Sequence, residues 1–127
     1  MGASTGDMLV DDPDTLEDIF KYCPTNIATH CEDTPTILKN EKIFAEKYGE
    51  DLSAIHHPYI RDDISCYLSS SMAIDLAKRH DANLHVLHLT TKKEMDQFVS
   101  GEIDNKKITA EVCVHHLKFN EHDYVNL

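Results

Sequence analysis

Histidine side chains accompany each of the three short segments that the sequence predicts to be β-strands. The first segment ends at His30, the second contains His85 and His88, and the third is followed directly by His115 and His116. At neutral pH an imidazole can bind a metal ion, accept a proton or form an ordinary hydrogen bond. The chain has 9 histidines in 127 residues, and their position at strand ends predicts a functional site.

Predicted helices alternate with these strands and determine where the histidines lie. Strands are expected at residues 26–30, 84–89 and 108–114, and helices at 14–23, 36–48, 62–80 and 91–99, with a further helix beginning at 120. This alternation favours right-handed βαβ units and a parallel sheet, which is an α/β fold. The carboxyl ends of parallel strands lie at one edge of the sheet, so the histidines should converge there.

Histidines from neighbouring strands, together with carboxylates, are the ligands that a catalytic zinc site requires. Carboxylates occur close to the predicted strand ends at Glu32, Asp33 and Glu111. The same histidines can instead be packing residues that only form hydrogen bonds. The sequence leaves both interpretations open.

Two further patterns concern the helices and the loops. Apolar residues recur every four positions in the helix at 62–80, which predicts its buried face; they are Ile64, Leu68, Met72 and Leu76. His56, His57 and His122 lie in irregular or terminal segments and are expected to face solvent.

Composition describes a small acidic globular chain. Its 12 basic and 23 acidic residues give a formal net charge of −11, which argues against nucleic acid and anionic membranes as partners. No apolar run reaches the ~18 residues of a membrane-spanning helix. The 4 cysteines lack Cys-x-x-Cys spacing and no secretory signal precedes them, so reduced thiols in a cytoplasmic protein are expected.

Several motifs together resemble dihydroorotase, a cyclic amidohydrolase of the metal-dependent hydrolase superfamily. They are Met-Gly-Ala-Ser-Thr-Gly at 1–6, His-Cys-Glu-Asp at 30–33, His-Pro-Tyr-Ile-Arg at 57–61, His-Val-Leu-His-Leu-Thr-Thr at 85–91 and Glu-Val-Cys-Val-His-His-Leu at 111–117. The resemblance runs essentially end to end and is greatest to Bacteroides-type bacterial enzymes. Hydantoinases and dihydropyrimidinases typically carry His-Ala-Glu-Asn where this chain has His-Cys-Glu-Asp.

The resemblance implies a (β/α)8 TIM barrel with one or two zinc ions. Such an enzyme reversibly hydrolyses the cyclic amide of dihydroorotate to N-carbamoyl-L-aspartate in pyrimidine biosynthesis. His30 and His88 match metal-binding histidines of the family. Glu111, His115 and His116 match the block beside the substrate, where they would bind substrate or support the metal ligands.

Other parts of the family pattern are absent from this sequence. The chain contains no His-x-His, and the family's metal-bridging lysine and general-base aspartate lie outside the motifs that it carries. Residues 1–127 are therefore expected to be the middle segment of the barrel, roughly strands five to seven with their helices, and to be inactive alone. Strands without their barrel neighbours would also leave open edges and an exposed apolar face, which predicts self-association.

Two alternatives remain open at this stage. One is another cyclic amidohydrolase, such as an allantoinase or a hydantoinase. The other is a non-catalytic amidohydrolase-like domain that serves in assembly. The expected partner is a small molecule, dihydroorotate, and the sequence leaves open whether the parent enzyme forms homo-oligomers.

Overall fold

The computed structural model describes residues 9–126, in which helices α1 and α4 pack against a three-stranded parallel sheet. The strands are β1 (Ile27–Thr29), β2 (Leu84–Val86) and β3 (Ile108–Ala110), in that spatial order. The helices are α1 (Pro13–Tyr22), α2 (Thr34–Tyr48), α3 (His57–Ile60), α4 (Asp63–His80), α5 (Lys92–Met95) and α6 (Val114–Lys118). Short 3-10 helices occupy Gly49–Asp51, Ala54–His56 and Glu121–Asn126. The Gly-rich motif at 1–6 lies outside the described residues.

The central strand β2 contributes side chains to both faces of the sheet. Leu84 and Val86 point into the helical layer and are 0% and 1% exposed. Around them lies one apolar core from α1, α4 and neighbouring loops, formed by Leu16, Phe20, Cys31, Ala73, Ile74, Leu76, Ala77 and Ala82. The predicted parallel α/β arrangement is therefore confirmed for this part of the chain.

The opposite face of the sheet is polar. Ala28, His85 and Thr109 form one row across the three strands, because Ala28 pairs with His85 and His85 pairs with Thr109. Ala28 is exposed, and the other two are half-buried. Of the apolar side chains expected to be exposed next to the missing strands, Val86 is buried, whereas Val112 and Val114 are 46% and 73% exposed. Self-association stays a prediction.

The buried face of α4 consists mainly of small side chains, and most of the predicted apolar series lies outside it. Ile64, Leu68 and Met72 are 42%, 46% and 37% exposed, and only Leu76 of that series is buried. The buried positions are Ser65, Cys66, Ser69, Ser70, Ala73, Ile74, Leu76 and Ala77. Small residues let the helix lie close to its neighbours, so packing distance, and not side-chain hydrophobicity alone, determines which face turns inward.

The buried serines of α4 have hydrogen-bond partners within the fold. The Ser70 hydroxyl donates to the Cys66 carbonyl oxygen at 2.9 Å, and the Gln97 amide donates to the Ser70 hydroxyl at 2.9 Å. Burial of a hydroxyl costs little when it is paired in this way. Gln97 thereby also ties the segment after α5 to α4.

Aspartates begin the three longest helices. The carboxylates of Asp12, Asp33 and Asp62 each accept a hydrogen bond from the backbone N–H three residues later, which satisfies a donor that the first turn would otherwise leave unpaired. Asp14 and Glu17 have the spacing of a capping box, which predicts a helix start at Asp14, but Asp12 caps α1. Thr91 and Glu94 have capping-box spacing in the sequence, and the structure confirms this box, since the Glu94 carboxylate accepts from the Thr91 backbone N–H at 3.2 Å.

Three predicted segments are wrong in extent or type. The strand expected at 108–114 ends at Ala110, and α6 begins at Val114, so His115 and His116 lie on a short helix. The strand expected at 84–89 ends at Val86, and the helix expected at 91–99 covers only Lys92–Met95. Alternating or periodic apolar residues continue beyond these ends, but regular strand or helix geometry does not, although single main-chain bonds still join Leu87 to Thr29 and Leu89 to Glu111.

No helix among residues 9–126 is long and apolar enough to cross a lipid bilayer.

An ion-pair cluster joins α1 to α4 and gives a first testable prediction. The Glu17 carboxylate lies 2.6 Å from Arg79 Nη1 and 2.5 Å from His80 Nε2. The hydrogen bond from His80, helped by the charge of Arg79, lowers the pKa of Glu17. A carboxylate with a lowered pKa in the folded state contributes stability above its unfolded-state pKa and loses it as the pH falls through the folded value.

We therefore expect Glu17→Gln to lower the melting temperature at pH 7 and to have a much smaller effect at about pH 3. Circular dichroism melting curves at the two pH values measure this difference. Asp18→Asn, at an exposed position on the same helix, is the matched control and should change little. Equal melting temperatures for Glu17→Gln and the unmodified chain at both pH values would contradict the prediction.

Candidate functional site

His30 and His88 meet at the carboxyl edge of the sheet, as the sequence predicts. His30 follows β1 directly and His88 lies two residues after β2. Their ring centroids are 5.9 Å apart and their planes are tilted by 52°. The Leu87 backbone N–H donates to the Thr29 carbonyl oxygen at 3.0 Å, which carries the β1–β2 pairing up to the edge and brings the two loops together.

The backbone of His88 has a positive φ of 40°. A non-glycine residue pays about 1–2 kcal/mol for a left-handed backbone. Main-chain hydrogen bonds hold it from both sides, because Leu87 donates to Thr29 and Leu89 donates to the Glu111 carbonyl oxygen at 2.7 Å. His88 is therefore the turn residue between pairing with β1 and pairing with the chain after β3. Strain of this kind concentrates at functional sites.

The chemistry of the two rings suits a metal ion. Burial lowers the pKa of His30, and the neighbouring His88 acts in the same direction. Metal ions bind the neutral imidazole, which keeps a lone pair, and a lowered pKa favours that form at neutral pH. Imidazole nitrogen is a preferred zinc donor, but a catalytic zinc site takes three protein ligands.

The pair therefore fits part of a zinc site and does not complete one. Within residues 9–126, no group of three or more histidine, cysteine, aspartate or glutamate side chains is arranged to hold a metal ion. His30 and His88 supply the correct donor type, and any further ligands would have to come from elsewhere.

Glu111 lies beside His85 and does not form a donor cluster with the histidine pair. Its carboxylate is 3.4 Å from His85 Nε2, and it is half exposed at 52%. The other ring nitrogen, Nδ1, lies 2.8 Å from the Thr109 hydroxyl. Glu111 is thus held on the open face of the sheet, one residue beyond the end of β3.

A cleft of about 780 Å³ opens at the same edge. His88 lines it from the sheet, and His115 and His116 line it from α6. Both α6 histidines are exposed, so their side chains can reach a molecule in the cleft. The structure thus brings these three predicted residues to one cavity, with His30 against His88.

An ion pair in the cleft wall is a feature that the sequence reasoning missed. Arg61 Nη1 lies 2.6 Å from Glu32 Oε1, with both side chains largely buried. Each residue belongs to a motif that carries the family resemblance, Glu32 in His-Cys-Glu-Asp and Arg61 in His-Pro-Tyr-Ile-Arg. The motifs therefore pointed to each residue separately. The two residues are 29 positions apart, and no sequence pattern indicates that they form an ion pair.

The expectation that His56 and His57 both face solvent is half wrong. His56 is 8% exposed and packs on Tyr48 with ring centroids 4.1 Å apart. Its Nδ1 accepts a hydrogen bond from the Ser53 backbone N–H at 3.1 Å. His57 is exposed, as expected, and its Nδ1 lies 3.1 Å from the Tyr124 hydroxyl across the mouth of the cleft.

Comparison with characterised proteins finds similarity to dihydroorotases. It is 32% identical over 100 residues to a dihydroorotase from Listeria innocua, covering 76% of this chain and 22% of that enzyme. It is 24% identical over 112 residues to a dihydroorotase from Methanosphaera stadtmanae, covering 86% of this chain and 26% of that enzyme. The chain resembles the dihydroorotases. It spans about a quarter of the length of these relatives.

The fold agrees with this resemblance. A solved structure of a D-hydantoinase matches 98% of this chain and 27% of its own length with a TM-score of 0.82, at 18% sequence identity. At this identity the likeness concerns the fold alone, and a three-stranded parallel sheet with its helices is consistent with part of a barrel. No family model matches the chain.

The strain at His88 gives a second prediction. We expect His88→Gly to be more stable than His88→Ala by about 1 kcal/mol, since glycine adopts a positive φ without steric cost. Both variants lose the imidazole, so their difference isolates the backbone. Urea denaturation of the two variants measures it. In helices and strands an alanine variant is usually more stable than a glycine variant. If His88→Ala were more stable than His88→Gly, this result would contradict a strained backbone at His88.

The cysteines give a third prediction. All 4 are free thiols, and Cys31 and Cys66 are buried in the cleft wall. Burial raises the pKa of both thiols to about 12. Because the thiolate is the reactive form, these two should react slowly with a disulfide reagent at pH 8.

Cys23 and Cys113, which are half-buried, should react first, and all thiols should react rapidly in guanidinium chloride. Absorbance of the released chromophore counts the reacting thiols with time. Fast reaction of Cys31 or Cys66 in the folded chain, identified by Cys31→Ala and Cys66→Ala variants, would show that their surroundings are open to solvent.

Proposed function

We propose that the chain is the middle segment of a zinc-dependent dihydroorotase barrel, covering roughly strands five to seven. The whole enzyme would hydrolyse the cyclic amide of dihydroorotate reversibly to N-carbamoyl-L-aspartate, in pyrimidine biosynthesis. One observation carries this proposal: the imidazoles of His30 and His88 meet at the carboxyl edge of adjacent parallel strands, with centroids 5.9 Å apart, in a chain that resembles dihydroorotases.

In this proposal His30 and His88 are zinc ligands. Zinc supplies Lewis acidity and makes hydroxide accessible at neutral pH. The lowered pKa of His30 keeps its lone pair available, and the main-chain bonds around His88 hold that ring at the edge. Two pre-positioned donors reduce the ordering that metal binding would otherwise require.

His115 and His116 are the proposed substrate-binding residues. Both side chains line the same cleft as His88, and both are exposed. Dihydroorotate carries a carboxylate and ring carbonyl oxygens, which imidazole N–H groups can bind by hydrogen bonds. Glu111 is proposed to bind substrate or to support the metal ligands, as the resemblance implies; in the structure its carboxylate lies 3.4 Å from His85 Nε2.

The remaining catalytic groups would come from other parts of the parent enzyme. The family's bridging lysine and general-base aspartate have no counterpart in the motifs of this chain. Hydrolysis needs the metal, the nucleophile and the proton carrier to act as a unit, and removing one member of such a unit removes most of the rate enhancement. We therefore expect the chain alone to show no turnover of dihydroorotate.

A hydantoinase-type amidohydrolase is the second candidate. The fold likeness to a D-hydantoinase, with a TM-score of 0.82, supports it as well as it supports dihydroorotase. The motif His-Cys-Glu-Asp at 30–33 favours dihydroorotase over the His-Ala-Glu-Asn of hydantoinases. The two candidates share the zinc site and differ in the substrate.

Zinc titration provides the fourth prediction. Competition with a chromophoric chelator should detect zinc binding to the chain, and His30→Ala and His88→Ala should each weaken it at least about tenfold, since each removes one of two donors. His122→Ala, at an exposed position, is the matched control. Zinc binding that is insensitive to both His30→Ala and His88→Ala would rule out the proposed metal site.

Ligand selectivity provides the fifth prediction. In NMR spectra of the zinc-loaded chain, dihydroorotate should shift the imidazole C–H signals of His115 and His116, and hydantoin, which lacks the carboxylate, should shift them less. His115→Ala and His116→Ala assign the signals. A larger response to hydantoin would favour the second candidate.

A further inference from the structure

A buried carboxylate, that of Glu94, lines the cleft at the carboxyl edge of the sheet. Glu94 is 2% exposed, and no other aspartate or glutamate among residues 9–126 is buried. Taking a carboxylate out of water is costly unless hydrogen bonds and an opposite charge compensate it. The partners of its two oxygen atoms therefore show what this position still lacks.

One oxygen of Glu94 is occupied and the other is not. Oε2 accepts hydrogen bonds from the Thr91 backbone N–H at 3.2 Å and from the Thr91 hydroxyl at 2.9 Å. Oε1 has no hydrogen-bond partner among residues 9–126. In the same part of the chain, the Thr34 hydroxyl is the only fully enclosed polar side-chain atom without a partner. Oε1 therefore reaches open space, and the space beside Glu94 is the cleft.

The basic side chains of the cleft do not neutralise Glu94. Arg61 lies 2.6 Å from Glu32, and Lys93 Nζ lies 3.8 Å from Asp63. Within the described residues, no lysine, arginine or histidine forms an ion pair with Glu94. The position thus combines a hydrogen-bond acceptor without a donor and a negative charge without a cation.

Contacts on both sides of Glu94 place it against α4 near Cys66. The preceding residue, Lys93, lies against the first turn of α4. Three residues after Glu94, the Gln97 amide donates to the Ser70 hydroxyl, one turn beyond Cys66. Glu94 and Cys66 both line the cleft. Burial raises the pKa of Cys66, and the charge of Glu94 acts in the same direction, so the Cys66 thiol can report on what occupies this part of the cleft.

We propose that Glu94 Oε1 is a binding point for a cationic N–H donor, such as a protonated amine, amidine or guanidine group of a ligand that enters the cleft. Such a group supplies both the hydrogen and the positive charge that Oε1 lacks, and hydrogen bonds between charged partners are the strong ones. A carboxylate group would be repelled at the same point. The inference goes beyond the proposed function and does not depend on a metal ion.

The first measurement uses the unmodified chain and the rate at which N-ethylmaleimide, an uncharged reagent, modifies Cys66. Mass spectrometry of the peptides follows Cys66 and, as an internal reference, Cys113, which is half-buried and does not line the cleft. The probes are acetamidinium, tetramethylammonium and acetate at equal ionic strength. Acetamidinium is a cation with N–H groups, tetramethylammonium is a cation without them, and acetate has the same planar shape with the opposite charge.

At about 100 mM, acetamidinium should slow the reaction of Cys66 about threefold or more by mass action and leave Cys113 unchanged. Tetramethylammonium and acetate should slow neither thiol. Absence of protection by acetamidinium, or equal protection by acetate, would overturn the proposal. Equal protection by tetramethylammonium would overturn the assignment of Oε1 as a hydrogen-bond acceptor for the ligand.

The second measurement repeats the protection experiment with Glu94→Gln. The Thr91 backbone N–H can only donate, so the glutamine oxygen should take the place of Oε2 and keep the cap, and the amide N–H2 should face the cleft. The variant thus retains the shape of the site and replaces its acceptor by a donor. Protection of Cys66 by acetamidinium should be lost.

Glu121→Gln is the matched control, since Glu121 is an exposed carboxylate that also lines the cleft. It removes the same charge and should retain the protection by acetamidinium. Circular dichroism establishes that each variant is folded. Full protection in folded Glu94→Gln would overturn the proposal, and if Glu94→Gln does not fold, the three probes on the unmodified chain decide it.

Discussion

The main-chain pairing of β2 with both neighbours is the constraint on which the site depends. Beyond the last strand residue, Leu87 still donates to Thr29 of β1, and Leu89 donates to Glu111 after β3. One strand is thus tied to two others at the point where it ends. Because parallel strands end at a common edge, these two bonds bring the segments after β1, β2 and β3 to that edge, where the rings of His30 and His88 meet.

The helical layer makes this pairing stable. Leu84 and Val86 are almost completely buried beneath α1 and α4, and full burial of a side chain of this size contributes about 1.5–3 kcal/mol. The serines and alanines on the inner side of α4 let the helix lie close to its neighbours, where larger residues would force it away. The apolar residues that the sequence spaces most regularly on this helix instead face outward, at Ile64, Leu68 and Met72.

Prediction from sequence succeeded where local chemistry determines the outcome. Gly49 as a stop after α2, where its φ is 52°, and the alternation of helices and strands placed most elements within a few residues, whereas the first helix is capped by Asp12 and not by Asp14. Prediction failed where contacts between distant parts of the chain determine the local structure. The alternation at 108–114 continues past Ala110, but the strand stops, and His115 and His116 belong to α6. Burial of His56 depends on Tyr48, and the Glu32–Arg61 pair joins loops 29 positions apart; neither leaves a periodic signal. The convergence of His30 and His88 was predictable because it follows from parallel topology alone.

The left-handed backbone of His88 is maintained by the same main-chain hydrogen bonds that continue the strand pairing beyond β2. A positive φ of 40° at a histidine is unfavourable by itself, and an isolated loop would relax to a commoner conformation. Here relaxation would break the bond from Leu87 to Thr29 or the bond from Leu89 to Glu111, and would pull on Val86, which is buried. The core below the sheet therefore holds the turn in a conformation that aims the His88 ring toward His30. A ring held in this way needs little reorganisation to bind a ligand.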